Sequence, residues 1–332
     1  MDNAFTIPVS GNQYIVYLPV HGVLFRGNAA VVNLFYKALD GDKEAMKKFG
    51  LDPEVLVKMN QKESGFFKTK IKPDFKPTAV SLFLTSGCSM KCMYCYANAG
   101  EKNHQINKEY IDIAINEVIK NALTLNKKSI TINYHGGGDI GVAWDLVEQT
   151  TVYVKRKAVA YNLNVVINAG LNGILSDHQR DWIVHNLDSA TVSIDGYESI
   201  QNKLRPLKNG KPSFETVNKT LKYFDEKGFH YAIRTTVTEK TVTHLENIIS
   251  FFCENYKARK IKVEPVYMHG RASRNNVKAP DASEFITHFI NAEAIASAYG
   301  KELQYSGARF DVLTDIFCLA AGSSFCVTPE GY

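Results

Sequence analysis

Thr85-Ser-Gly-Cys-Ser-Met-Lys-Cys-Met-Tyr-Cys-Tyr96 places three cysteines, Cys88, Cys92 and Cys95, within eight residues at the spacing C-x3-C-x2-C. Three thiolates on one short loop can hold three corners of a four-iron cluster and leave the fourth iron without a protein ligand. An open iron can bind and reduce a small molecule, whereas a fully ligated cluster only passes electrons. A structural zinc site would want a fourth donor, and the nearest candidate is His104. Cys92-Met-Tyr-Cys95 alone matches a redox dithiol, but that motif usually opens a helix after a strand and needs no third thiol. Structural disulfides are disfavoured, because nothing in the sequence points to an oxidising compartment.

Immediately before this loop stands Ala79–Leu84, the first of six runs of strand length rich in Val, Ile, Phe or Tyr. The others are Ser129–Tyr134, Leu163–Asn168, Ala190–Asp195, Phe229–Val237 and Lys260–Val266. Amphipathic helical stretches separate them. In the first, Ile111, Ala114, Ile115, Val118, Ile119 and Ala122 recur with helical spacing, and Asn107 is placed to cap it. Thr243-His-Leu-Glu246 and Asp281-Ala-Ser-Glu284 read as capping boxes, and Gly300 stands where a C-terminal cap belongs. Strand–helix alternation implies an α/β fold with a parallel sheet and helices outside. The count fits an open, partial (β/α)6 barrel; a doubly wound sheet has the same pattern. In either, function gathers at the C-terminal ends of the strands, where the cysteine loop lies.

Residues 1–60 read as a small separate α+β domain. Tyr14–Leu18 and Gly22–Phe25 form a strand pair, and Asn28 caps a helix with Val31, Val32, Phe35, Ala38 and Leu39 on one face. Helical segments follow at Lys43–Phe49 and Pro53–Met59. Residues 61–77, with Pro73, Pro77 and several lysines, read as a linker to a barrel spanning 78–300, and 301–332 as an extension.

The 332 residues, 45% hydrophobic and 22% charged, can bury a sizeable core. A net charge of +5 is too mild and too dispersed to argue for nucleic acid. No signal peptide opens the chain and no apolar run reaches membrane-spanning length, so the expectation is a cytoplasmic protein without a membrane partner.

After the second strand comes Tyr134-His-Gly-Gly-Gly-Asp139. Gly136-Gly-Gly138-Asp-Ile-Gly141 matches a dinucleotide fingerprint, but the next strand, Val165-Val-Ile-Asn-Ala-Gly170, ends without the acidic residue that would hold a ribose. His135-Gly-Gly-Gly138 matches an esterase oxyanion motif, but no G-x-S-x-G elbow accompanies it.

The cysteine spacing, with aromatic Tyr94 before the last cysteine, resembles the radical S-adenosylmethionine (SAM) superfamily. That resemblance implies a [4Fe–4S] cluster on Cys88, Cys92 and Cys95, with SAM chelated to the open iron and Tyr94 beside the cofactor. Gly137, Gly138 and Asp139 resemble the family's Gly-Gly-Glu turn, whose carbonyls receive the SAM ammonium; glycine would let the backbone approach the ligand. Ser193-Ile-Asp-Gly196 and Arg205 resemble the S-x-D-G … R pattern of enzymes related to anaerobic sulfatase maturases. By that pattern Ser193 and Arg205 bind the SAM carboxylate, a task suited to a planar guanidinium. The alternation of strand side chains puts Ser193 and Asp195 on one face. Leu171-Asn-Gly173 resembles a ribose-contacting turn through Asn172, and Glu264-Pro-Val266, before His269-Gly-Arg271, a segment that packs on adenine through Val266. His135 and Arg234 either line the substrate cavity or are satisfied within the barrel. Residues 1–60 are similar to the winged-helix recognition element of peptide-modifying members, and a plain capping domain fits them equally.

The resemblance implies a maturase with a twitch or SPASM extension that cleaves SAM reductively and abstracts hydrogen from a peptide or protein. A reductant such as flavodoxin or ferredoxin would supply the electron. A formylglycine-generating sulfatase maturase and a non-catalytic peptide-binding fragment are the alternatives. Cys318 and Gly331 match the opening of a SPASM cluster motif, and the sequence ends at Tyr332 before the next cysteine. The expectation is a chain cut within that extension, with auxiliary [4Fe–4S] clusters only in a full-length form and Cys326 either a buried thiol or an incidental neighbour.

Overall fold

The computed structural model describes residues 5–9, 11–18, 23–50, 75–307 and 324–332. These fall into two compact units, one holding the described residues through Phe75, the other those from Lys76 onward. The expected helix Pro53–Met59, residues 61–74 of the expected linker, and Cys318 lie outside the described residues.

In the first unit, β1 (Phe5–Val9), β2 (Gln13–Leu18) and β3 (Val23–Asn28) form an antiparallel sheet in sequence order. The Asn28 side chain caps α1 (Ala29–Leu39) by accepting from the Val31 N–H at 3.0 Å, as expected, and α2 spans Lys43–Phe49. Val16 and Leu18, on one face of β2, are buried with Phe35, Ala38, Ala45 and Met46. Phe35 meets Phe25 edge-on at 4.8 Å between ring centres and Phe49 at 5.5 Å. Strand β1 was not expected: Phe5 and Ile7 remain exposed, so no buried alternation announces it, and Pro8 fits an edge strand.

The second unit is built on an eight-stranded, wholly parallel sheet. Its strands are β4 (Ala79–Leu82), β5 (Ser129–Tyr134), β6 (Asn164–Leu171), β7 (Ser189–Ser193), β8 (Tyr231–Val237), β9 (Lys260–Pro265), β10 (Glu302–Gln304) and β11 (Ser324–Val327). Their spatial order is β10-β9-β8-β7-β6-β5-β4-β11. From β4 to β10 each strand lies beside its predecessor, with no point where the order reverses. Alternate residues of the strands (Val80, Leu82, Ile130, Ile132, Ile167, Val192, Ile233, Ile261 and Val263) are buried against the helices. A doubly wound sheet would reverse its order and be covered on both faces. The architecture is therefore the open, barrel-like alternative, and eight strands make it up where six were expected.

Residues of the expected extension supply the two added strands, β10 beside β9 and β11 beside β4. The helix Lys108–Thr124 buries the six residues expected of it, together with Asn121, whose side chain donates to the Pro77 carbonyl. Asp281 caps Ala282–Ala298 as expected. The box expected at Thr243–Glu246 does not form, because Val242–His244 is a 3-10 turn and the helix begins only at Leu245. Cys326 is exposed on β11, which excludes the buried-thiol alternative.

Candidate functional site

The loop after β4 carries the three thiols without regular structure of its own, and two neighbouring segments hold it. Residues 204–208 run alongside: Met93 N–H donates to the Leu204 carbonyl, Lys91 N–H to that of Pro206, and Lys208 N–H to that of Ser89, each at 2.8 Å. On another side, the turn His269-Gly270-Arg271 grips the loop. Arg271 donates through Nε to the Cys92 carbonyl and through Nη1 to that of Ala99, both at 2.9 Å, and its N–H donates to the Cys95 carbonyl. Gly270 has a positive φ, and a Cβ there would stand 2.4 Å from the Tyr96 carbonyl oxygen. Only glycine fits.

Cys92 is buried, and Cys88 and Cys95 are half-buried. Burial, followed by the charge of Asp139, pushes the Cys88 thiol up to about 12. Burial also raises that of Cys92, while Arg205 and Arg271 pull against it. Left to themselves both stay protonated; a bound metal would supply the charge that makes them thiolates.

The glycine turn after β5 packs directly on this loop. Gly138 N–H donates to the Thr85 carbonyl and Asp139 N–H to that of Gly87, both at 2.8 Å. A Cβ on Gly138 would lie 1.8 Å from the Gly87 carbonyl oxygen. Here the requirement for glycine comes from the protein's own backbone, where the sequence suggested a ligand. Asp139 is buried, and its carboxylate accepts from Gly141 N–H at 2.9 Å and Asn172 N–H at 2.7 Å. Burial raises its pKa against these two bonds. Its side chain thus ties the turn to the end of β6. Asn172 in turn points at the cysteine loop, donating to Ser89 Oγ at 3.0 Å and lying 3.6 Å from Cys88 Sγ.

Beneath the loop lies a buried polar triad. The Tyr94 hydroxyl donates to Asp195 Oδ2 at 2.5 Å and accepts from Arg205 Nη1 at 2.8 Å. Asp195 also accepts from Thr236 N–H at 3.1 Å. Burial works against the Arg205 charge, but Cys92, Tyr94 and Asp195 hold the guanidinium well above its usual range. Arg205 Nε, though buried, has no hydrogen-bond partner among the described residues. Tyr94 packs with Leu204, Val266 and Ala272, which brings Val266 to the same place. Ser193 is half-buried at the end of β7, and no hydrogen bond among the described residues joins it to Arg205.

Asp195, Arg271 and Asn172 emerge as site residues that the sequence named only in passing or gave weaker roles. Asp195 sits in the S-x-D motif and Arg271 in His-Gly-Arg, so both signals were present. His104 faces Glu330 at 3.6 Å. Among the described residues no three Cys, His, Asp or Glu side chains gather as one metal ion would require. A zinc site would want His104 beside the thiols, and it faces Glu330, whereas a multi-iron group needs only one thiolate at each iron.

The sequence model of the Radical SAM superfamily matches residues 82–252, just over half of the chain. The chain belongs to the radical SAM superfamily. The cysteine-type anaerobic sulfatase-maturating enzyme of Clostridium perfringens (strain 13 / Type A) is 23% identical over 254 residues, covering 72% of this chain and 66% of that protein. The sporulation killing factor maturation protein SkfB of Bacillus subtilis is 23% identical over 270 residues, covering 78% of this chain and 60% of the relative. Streptococcus suis SuiB, in a crystal structure bound to the precursor peptide SuiA, superposes with a TM-score of 0.55 at 12% identity, covering 98% of this chain and 82% of SuiB. The chain spans between 41% and 66% of the length of the curated relatives it matches.

The superfamily's [4Fe–4S] cluster and SAM suit the residues present. Three thiols share one loop, an amide reaches toward Cys88, two buried guanidiniums flank Cys92, and Arg205 Nε still lacks an acceptor. Among the described residues no helix is long and apolar enough to cross a membrane.

Proposed function

We propose that this chain is a radical SAM maturase acting on a peptide or protein, with Cys88, Cys92 and Cys95 each holding one iron of a [4Fe–4S] cluster. With reductant, such a cluster and SAM supply a 5′-deoxyadenosyl radical that abstracts hydrogen from the substrate. The observation that carries this reading is the cysteine loop clamped between residues 204–208 and Arg271 at the C-terminal end of a parallel sheet. Gly137, Gly138 and Asp139, together with Tyr94, Ser193, Arg205 and Val266, would hold the cofactor. Arg205 keeps positive charge beside Cys92, and its unpartnered Nε would be available to the SAM carboxylate. Val266 and Leu204 close the apolar floor around Tyr94 and keep water out.

The relatives that mature a killing factor and bind a precursor peptide support a ribosomal peptide as substrate. A recognition role for residues 1–60, a flavodoxin or ferredoxin as reductant, and a cytoplasmic site belong to the same proposal. The likeness to a sulfatase-maturating enzyme favours a second reading, oxidation of a cysteine or serine to formylglycine.

Anaerobic reconstitution with iron and sulfide, followed by assay of 5′-deoxyadenosine, tests the main claim. Wild type should release it with reductant, and Cys92→Ala should lose both the cluster's visible absorption and SAM cleavage. A Cys92→Ala protein that retained both would refute the assignment. Formylglycine formed on a sulfatase-derived cysteine peptide would select the second reading.

A further inference from the structure

On β8 and β9, the third and second strands from the β10 edge, the sheet face turned from the helices carries positive charge that the cofactor reading does not use. Strand register sets Ser193 beside Arg234, Arg234 beside Lys262, and Lys262 beside Gln304. Residues paired in this way project from the same face, with adjacent strands about 4.8 Å apart. The guanidinium and the ammonium are therefore neighbours. His135 follows β5, and its Nδ1 stands 2.6 Å from where a Cβ on Gly170 would be. With glycine at that position the imidazole can lean across β6. Loss of water around the ring, and then the charges of Arg234 and Lys262, hold its pKa below the usual range, so the three groups sense one another. Desolvation and Arg234 likewise lower that of Lys262.

Nothing among the described residues neutralises the pair in direct contact. Arg234, Lys262 and His135 have no side-chain hydrogen bond or ion pair there. The other charges on this face are engaged: Lys260 pairs with Glu302 at 3.5 Å, and Glu264 accepts from the N–H and hydroxyl of Ser306. Glu264 attracts Lys262, and Arg234 attracts Asp195, whose carboxylate is already held by the Tyr94 hydroxyl and the Thr236 N–H. The row lies near the cluster loop, because Tyr96, next to Cys95, is within electrostatic reach of Arg234.

We propose that Arg234 and Lys262, with His135 as a third donor, form a carboxylate-binding site for the substrate peptide. The ligand is an Asp or Glu side chain, or a free C-terminus, close to the residue that is modified. Arg234 supplies a fork that matches both carboxylate oxygens, and Lys262 a point charge beside it. This rests on the peptide-maturase reading and narrows its substrate class.

The test uses the reconstituted holoenzyme with SAM and a synthetic random octapeptide library that mixes free and amidated C-termini, offered either untreated or with all carboxyl groups methyl-esterified. Wild type should enrich peptides bearing Asp, Glu or a free C-terminus, and esterification should abolish that enrichment. Arg234→Gln and Lys262→Gln should each weaken binding of an enriched peptide about tenfold, with Arg234→Lys intermediate. The SAM dissociation constant of each variant separates the two possible sources of a carboxylate. Enrichment indifferent to esterification overturns the proposal, as does a parallel loss of SAM affinity, which would assign the cations to SAM's own carboxylate. A wild type that releases no 5′-deoxyadenosine would instead fail the maturase reading.

Discussion

Arg205 donates to the Tyr94 hydroxyl across 2.8 Å although 111 positions separate them in the chain. The same hydroxyl donates onward to Asp195, so one phenol links a buried cation to a buried carboxylate. Tyr94→Phe keeps the ring's packing and removes that link, leaving two charged groups each one bond short. Loss of a buried partner costs about 1–3 kcal/mol, and urea denaturation of the metal-free protein should show a deficit in that range. A variant as stable as wild type would mean that the hydroxyl contributes nothing net.

Gly138 and Gly210 separate two reasons for glycine. Gly210 has a positive φ and open space around its Cα, so Gly210→Ala should cost about 1 kcal/mol through backbone strain alone. A Cβ on Gly138 would collide with the Gly87 carbonyl, one residue before Cys88. Gly138→Ala should therefore push the cysteine loop away, costing about 1–3 kcal/mol or more and lowering the iron taken up on reconstitution. Iron content at wild-type level in Gly138→Ala would contradict the contact.

Glu246 joins the helices Leu245–Asn255 and Ala282–Ala298, accepting from Asn291 Nδ2 at 3.1 Å and lying 2.9 Å from His288 Nδ1. Burial pushes its pKa up, but Asn291 and His288 outweigh it, and the net direction is down. A carboxylate with a lowered folded-state pKa adds stability that is present above the unfolded value of about 4.3 and is lost as pH falls through the folded one. Wild type should lose stability in that acid window more steeply than Glu246→Gln. Thermal melts between about pH 3 and 6 measure the difference, and superimposable acid limbs would exclude the linkage.

What the sequence disclosed follows the range of the interactions involved. Helix Lys108–Thr124 was legible to its cap and its buried face because every signal lies within one amphipathic period. The strands β4–β9 were legible from β-rich runs. Strands β10 and β11, of three and four residues, carry too few alternations to stand out. The cysteines and the glycine turn were visible as spacing, but the reason for Gly138 was not, since it depends on Gly87 arriving from the loop after β4. Asp195 and Arg271 were likewise seen as letters in short motifs; their partners, Tyr94 and the Cys92 carbonyl, come from far along the chain.

Arg271 yields the sharpest distinction between holding the loop and holding charge. Its guanidinium spans two carbonyls, those of Cys92 and Ala99, from a buried position. Lysine would keep the positive charge but cannot reproduce a planar fork that reaches both acceptors. If charge alone matters, Arg271→Lys should behave as wild type. If the fork fixes the loop, one buried carbonyl loses its donor, at a cost of about 1–3 kcal/mol. The three thiols then sit less firmly, and the reconstituted protein should bleach faster in air than wild type. The geometry favours the second outcome, and Arg271→Ala should be worse still. Time courses of the visible absorption after exposure to oxygen, recorded for the three proteins side by side, decide it. Equal bleaching of wild type and Arg271→Lys would leave the arginine as a charge and nothing more.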